Sequence, residues 1–170
     1  MADIGKYIPL LLKLEGGFVD DPADKGGVTN MGVTLSSWRQ MGYDKNGDGD
    51  IDAEDIRHLT HEDVAVLLKA HYWDRWHGDD IRDQKLANIL VDWLWCSGKW
   101  GILIPQRVLH VTPDGIAGTQ TLSAVNRAEP ISLLISIYNA RLAFIQDLIR
   151  RDPAGKRFEQ GWINRINSLL

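Results

Sequence analysis

The sequence predicts a mainly α fold, α+β only in that one small β hairpin follows the first helix. Three observations predict it. Apolar residues recur at three- and four-residue intervals in segment after segment, from residues 4–14 to residues 158–170. Helix-start signals precede several of these segments, with Thr34 before one and Thr60, followed by Asp63, before another. One stretch, residues 14–34 (LEGGFVDDPADKGGVTNMGVT), breaks the helical period with five glycines, one proline and three aspartates. Such a stretch must turn, and acidic residues in turns cap, bind a metal or do acid/base work.

The elements follow in order. Ile4, Ile8, Leu11, Leu12 and Leu14 form one helical stripe, which Asp3 can cap. Pro9 either fits its first turn or kinks it. Gly16 and Gly17 end the helix, because glycine takes the left-handed position after a last turn. Residues 18–19 and 28–29 are short extended pieces flanking the turn residues, which predicts an irregular hairpin. Thr34 N-caps a helix over 35–41. Thr60 and Asp63 cap a helix running through Val64, Leu67 and Leu68 to Tyr72 and Trp73. Residues 86–95 are a strongly apolar helix, and Gly98-Lys-Trp-Gly101 breaks the pattern. A helix over 104–111 leads to the turn Asp114-Gly-Ile-Ala-Gly118 and a helix to Asn126. Pro130 opens a long helix over 131–151, which Asp152-Pro153 ends. The last helix carries Trp162, Ile163, Ile166 and Leu169. With no low-complexity linker, the expected regions 1–95 and 96–170 pack as one body.

Composition narrows the function. The chain has 170 residues, 44% apolar and 25% charged, ample for a packed core. A net charge of −4 gives no electrostatic footprint for nucleic acid. The apolar runs are broken by Lys, Asp or Gly short of a membrane span, so no membrane insertion is expected. A basic leader with a small-residue cleavage site is not present in the first residues, so synthesis in the cytoplasm and release by other means, such as a holin, is expected. A monomer is expected. The lone cysteine, Cys96, sits in an apolar run and reads as a small core residue. Tryptophan is enriched at seven residues; its faces stack on sugars, though most of the seven are expected in the core. His58 and His61 sit at a helix cap, and His71 and His77 lack metal-ligand spacing.

Glu15 is the acid before the glycine pair. At a helix C-terminus it meets the negative end of the macrodipole, which favours a protonated carboxyl. That suits protonation of a glycosidic oxygen. The bland alternative is a solvated helix-end Glu.

Residues 44–55, DKNGDGDIDAED, fit the EF-hand loop template. Asp44, Asn46 and Asp48 fall at ligand positions one, three and five, and Gly49 at six. Asp50 at seven would offer its carbonyl, Asp52 at nine a water-mediated contact, and Asp55 stands at twelve in place of the usual Glu. Asp there resembles dockerin-type loops. Six acidic residues in twelve repel one another without a cation, so a structural Ca2+ held by Asp44, Asn46, Asp48, Asp50 and Asp55 is expected, against an acidic glycine-rich turn as the plain alternative.

Two stretches carry a family resemblance. Glu15, Gly16, Gly17, Phe18 and Val19, then Asp20, Asp21 and Pro22, then Asp24, Gly26, Gly27 and Thr29, then Gly32, Val33 and Thr34 resemble the signature of glycoside hydrolase family 108. These are phage-type N-acetylmuramidases (lysozymes, endolysins), some described as secretion activators. Phe18 stands where Tyr is common. Residues 106–125, QRVLHVTPDGIAGTQTLSAV, resemble the predicted peptidoglycan-binding half that accompanies the family. The acidic loop resembles no part of the family pattern and reads as an insertion.

The resemblance implies a lysozyme-like fold and hydrolysis of the β-1,4 bond between N-acetylmuramic acid and N-acetylglucosamine in peptidoglycan, with no catalytic cofactor. It implies Glu15 as the acid. Its spacing from Asp24 and Thr29 is also similar to the Glu–Asp–Thr arrangement of phage lysozymes, with Asp20 and Asp21 competing for the second carboxylate. Phe18, Asn30, Tyr72 and Trp73 are the expected sugar contacts. Carboxyls about 6.5–9.5 Å apart would favour inversion, and about 5–5.5 Å a covalent retaining route. Two readings compete with the hydrolase: a catalytically weak wall-binding or secretion-assisting module, and a calcium-dependent interaction protein.

Overall fold

Local signals fold much as the sequence dictates. The structure, a computed structural model, describes residues 1–19 and 27–170. Its contacts divide into two compact units, residues 5–71 and residues 1–4 with 72–170.

In the first unit, α1 (Ile4–Leu14) turns its stripe inward and buries Tyr7 and Leu11, with Pro9 accommodated inside it. The strands β1 (Thr29–Asn30) and β2 (Val33–Thr34) pair antiparallel, Thr29 facing Thr34 and Asn30 facing Val33. Val19 bridges to Thr29, so the expected hairpin does join residues 18–19 to 28–29; the turn residues 20–26 lie outside the described part. The tighter hairpin over 29–34 was not legible from periodicity. Thr34 caps α2 (Leu35–Met41) by accepting the Ser37 N–H at 3.1 Å. A buried Trp38 on α2 donates its indole N–H to the Tyr43 carbonyl. Helix α3 (Ala53–Arg57) and helix α4 (His61–Leu68) each open on a capping box, Asp52 with Asp55 and Thr60 with Asp63.

The α4 cap also anchors the acidic loop. Asp63 accepts from the Tyr43 hydroxyl at 2.8 Å and pairs with Lys45 at 2.8 Å. Burial pushes the Asp63 carboxyl up, but hydrogen bonds from Lys45, the Thr60 backbone and Tyr43 outweigh it and hold it at about 2.

Beyond α4 the helix widens into a π-turn (Lys69–Trp73) and then two 3-10 turns (Asp74–Trp76 and Gly78–Asp80). The straight helix expected to reach Trp73 therefore changes pitch after Leu68. In the second unit, α5 (Gln84–Ser97) is buried over most of its length. Packed with it are α6 (Trp100–Val108), α8 (Pro130–Arg151) and α9 (Glu159–Asn167), with α7 (Thr119–Arg127) between α6 and α8 in sequence. The break expected over residues 98–101 is present: α5 ends at Ser97 and left-handed Gly98 caps it before α6 begins at Trp100. Gly101, placed in that break, lies in the first turn of α6 instead, where a Cβ would meet the Leu94 backbone nitrogen at 2.3 Å. It is a packing glycine that lets α5 and α6 approach closely.

Two further expectations change. Cys96 is exposed rather than core, its Sγ 3.7 Å from Asp92. Among the described residues, α8 is one helix long and apolar enough to cross a membrane by length and composition. Its buried stripe, Leu133, Ile137, Arg141 and Ile145, packs within the unit, and Arg141 pairs with the fully buried Asp92 at 2.6 Å. The Asp114 turn is pinned by a buried Gln106, which donates to Asp114 and accepts the Gly115 N–H.

The Asp63 network sets a pH dependence. A carboxyl held at about 2 against its ordinary 3.8 contributes stability that is present above pH ~4 and lost as pH falls towards 2. Thermal melts from pH 5 to pH 2 are expected to show that descending arm, flattened in Asp63→Asn.

Candidate active site

Glu15 follows α1 directly, its N–H still bonded to the Leu11 carbonyl at 3.0 Å. The helix end therefore fixes its Cα. Its side chain is half-buried and rests on the β1–β2 turn: a Cβ built on Gly32 would lie 2.5 Å from both the carboxyl carbon and Oε2. That turn has Met31 at φ 48° and Gly32 at φ 78°. Both central residues are left-handed, the geometry of a tight two-residue hairpin, and it favours glycine. Gly32 thus serves twice, permitting the turn and leaving room for the carboxyl. Sequence reasoning missed this role, although Asn30-Met-Gly32 between extended residues carries the turn signal.

The other expected residues lie as follows. Thr29 sits on β1, exchanging both backbone hydrogen bonds with Val19, and its hydroxyl donates to the Gly27 carbonyl at 3.2 Å. Asp24, Asp20 and Asp21 lie outside the described residues. Asn30 is buried and donates its amide to the Ile56 carbonyl at 2.9 Å, tying β1 to α3. Its side chain holds the hairpin in place. Phe18 carries the Arg57 guanidinium over its ring at 4.2 Å. Nothing in the sequence signalled that Arg57 would stand beside the Glu15 corner. Among the described residues, nothing lies within 4 Å of where a side chain would begin at Gly16, Gly17 or Gly27.

Tyr72 and Trp73 belong to the other unit. Tyr72 is half-buried against Trp95, ring centroids 4.7 Å apart, and burial pushes its hydroxyl up. Trp73 has no exposed surface, and its indole N–H donates to Asp79 at 2.8 Å. Its ring fills the core, so the face expected to stack on a sugar is covered.

Residues 8–98, more than half of the chain, match the family described as Glycosyl hydrolase 108. The chain belongs to that family. As a glycosyl hydrolase 108 protein it is a glycoside hydrolase, and residues 100–167 match a second family, described as Predicted Peptidoglycan domain. Together the two regions support a peptidoglycan hydrolase role. Their limits, 98 and 100, differ from the contact-based division after His71, which groups α5 with the C-terminal helices. The solved structure of Brucella abortus SagA is similar, with 29% identity, a TM-score of 0.80, and coverage of 97% of this chain and 90% of that one. No curated protein matches the chain. The mainly helical fold with its two-stranded hairpin is consistent with a lysozyme-like architecture.

The acidic loop is a second chemical feature of this glycosyl hydrolase 108 protein. Asp44 accepts the N–H groups of Gly47 and Gly49, Asn46 that of Asp48, and Asp48 that of Asp50. Carboxylate oxygens of Asp50, Asp52 and Asp55 lie within 4.8 Å of one another. Asp55 is fully buried. Burial pushes its carboxyl up, and N–H bonds from Asp52, Lys45 and Asn46 outweigh it and hold it down. The Asp48 charge, and then slight desolvation, push the exposed Asp50 carboxyl up.

Substituting Gly32→Ala tests the Glu15 corner. The left-handed backbone costs about 1–2 kcal/mol with a Cβ, and the methyl displaces the carboxyl. Activity on purified sacculi is expected to fall far more than that stability loss explains, with the melting temperature read on the same preparation.

Proposed function

We propose that this glycoside hydrolase is an N-acetylmuramidase, cutting the β-1,4 bond between N-acetylmuramic acid and N-acetylglucosamine in peptidoglycan. The observation that carries the reading is the Glu15 carboxyl, fixed by the end of α1 and seated on the Gly32 turn. Glu15 acts as general acid. It donates its proton to the glycosidic oxygen as the bond to the anomeric carbon lengthens and an oxocarbenium-like centre develops. Asp24 stabilises that centre or, with Thr29, orients the attacking water on the opposite face. Asp20 and Asp21 are the competing carboxylates. Phe18, under the Arg57 guanidinium, is the aromatic surface nearest in sequence to the acid. An endolysin-type role, acting on the wall as a monomer after release from the cytoplasm, goes with this reading.

The loop at 44–55 enters the same proposal as a structural Ca2+ site. Side-chain oxygens of Asp44, Asn46, Asp48 and Asp55, with the Asp50 carbonyl, supply the hard ligands the ion needs. Left-handed Gly47 and Gly49, at φ 79° and 102°, support the reading by letting the loop wrap inward. A cation there would offset the mutual repulsion of the crowded carboxylates.

Glu15→Gln keeps the shape and removes the proton. Loss of a general acid is expected to lower turnover on sacculi by about 10²–10⁴-fold with the melting temperature unchanged. Equal clearing by both proteins would remove Glu15 from the mechanism, and no clearing by the wild type would favour a wall-binding module. For the ion, added Ca2+ is expected to raise the melting temperature, by about 2.7 kcal/mol of stability at a hundredfold excess over Kd. EGTA and Asp44→Ala should each abolish the rise. A midpoint unmoved from micromolar to millimolar Ca2+ would sink the site.

A further inference from the structure

Within the second unit, α5, α8 and α9 line a cavity of about 130 Å³. Arg141 and Arg165 both line it, and among the described residues no carboxylate does. Behind them stands Asp92, fully buried. It accepts from Arg141 Nη2 at 2.6 Å and from Arg165 Nε and Nη2 at 3.0 and 2.8 Å. One carboxylate thus serves two guanidinium groups. Arg141 is only 4% exposed, and its Nη1 is buried with no hydrogen-bond partner. Arginine cannot shed its proton. A buried donor left unpaired is costly, and more so on a charged group.

Cys96 and Ser97 add two small side chains to the lining, and most of the remaining wall is apolar. Phe144, Leu148 and Trp162 face the same space. A matching occupant is therefore two-ended: an anion for the unpaired Arg141 Nη1 and a short apolar group for the aromatic side. A guanidinium N–H makes a short, charge-assisted hydrogen bond to a carboxylate. The volume admits about one amino-acid residue. We propose that this cavity is an anion subsite for a carboxylate bearing a short apolar side chain, and that in the wall its occupant is the terminal D-alanine of a stem peptide. The carboxylate follows from the cavity; the choice of stem peptide rests on the peptidoglycan reading. In function, the subsite would hold the peptide side of the polymer while Glu15 acts on the glycan.

The test uses the full chain as Glu15→Gln, so that wall cleavage does not intrude. It is titrated with N-acetyl-D-alanyl-D-alanine, and in parallel with the same dipeptide amidated at its C-terminus, following tryptophan fluorescence. The free acid is expected to saturate with a Kd on the order of millimolar. The amide should bind at least about tenfold more weakly, since it forfeits the charge-assisted hydrogen bond from Arg141 Nη1. Arg141→Lys, which keeps the charge but cannot hold Asp92 and the ligand with separate nitrogens, should lose the same preference. Because Arg141 is buried and its variants risk misfolding, Leu148→Trp provides a second arm. Leu148 is 38% exposed at the cavity, away from the ion pairs, and a larger ring there should block the dipeptide without moving the melting temperature. No saturable binding up to tens of millimolar, equal binding of acid and amide, or displacement by inorganic phosphate at equal concentration would each overturn the proposal. The muramidase reading is scored separately, by cleavage with the wild-type chain: cleavage without dipeptide binding overturns the subsite alone.

Discussion

A single close approach organises the proposed catalytic corner. The Glu15 carboxyl lies where a side chain at position 32 would begin, so the acid, the end of α1 and the β1–β2 turn share one volume. Each depends on the others. Helix α1 ends at Leu14, with the Glu15 N–H still bonded to the Leu11 carbonyl, which sets where the carboxyl emerges. Left-handed Met31 and Gly32 make the hairpin tight enough to sit beneath it. The buried Asn30 amide, bonded to the Ile56 carbonyl, holds that hairpin against α3. A carboxyl so placed is positioned by backbone, which is the precision that proton transfer to a leaving oxygen requires.

The second unit is organised by a different constraint, a carboxylate taken fully out of water. Burial pushes Asp92 up, while Arg141 and Arg165 more than offset it and keep it ionised. Breaking such a buried pair by removing one partner costs about 3–5 kcal/mol, because the other charge is stranded. The same pairing fixes α8 and α9 on α5 and explains how a helix as apolar as α8 carries an arginine on its inner face. The cluster joins residues 49 and 73 positions apart, so it ties the unit together across its whole length.

What the sequence made legible was local. The caps at Thr34 and Thr60 and the span of α1 follow from rules reaching three or four residues along the chain, although neither Gly16 nor Gly17 takes the left-handed turn expected after the last helical residue. The place of Glu15 was legible as well, as the last side chain before a glycine pair at the end of α1; its role as the acid belongs to the proposed function. What escaped was non-local. Gly101 looked like a helix breaker, since only the three-dimensional crossing with Leu94 shows why a glycine is needed inside α6. Cys96 lay in an apolar run yet is exposed, because a run of apolar residues does not by itself say where a helix face ends. Trp73 carried a plausible sugar-binding face that the fold covers. The Arg57 contact on Phe18 spans 39 residues' worth of intervening loop and helix, by the difference of the two positions, and no motif announces it.

The measurement that bears most directly on the account is mass spectrometry of the products released from purified peptidoglycan, after reduction of their sugar ends. Cleavage assisted by Glu15 at the proposed bond leaves N-acetylmuramic acid at every new reducing end, so reduced muramic acid is the predicted product. Reduced N-acetylglucosamine in its place would place the cut at the other glycosidic bond and contradict the muramidase assignment.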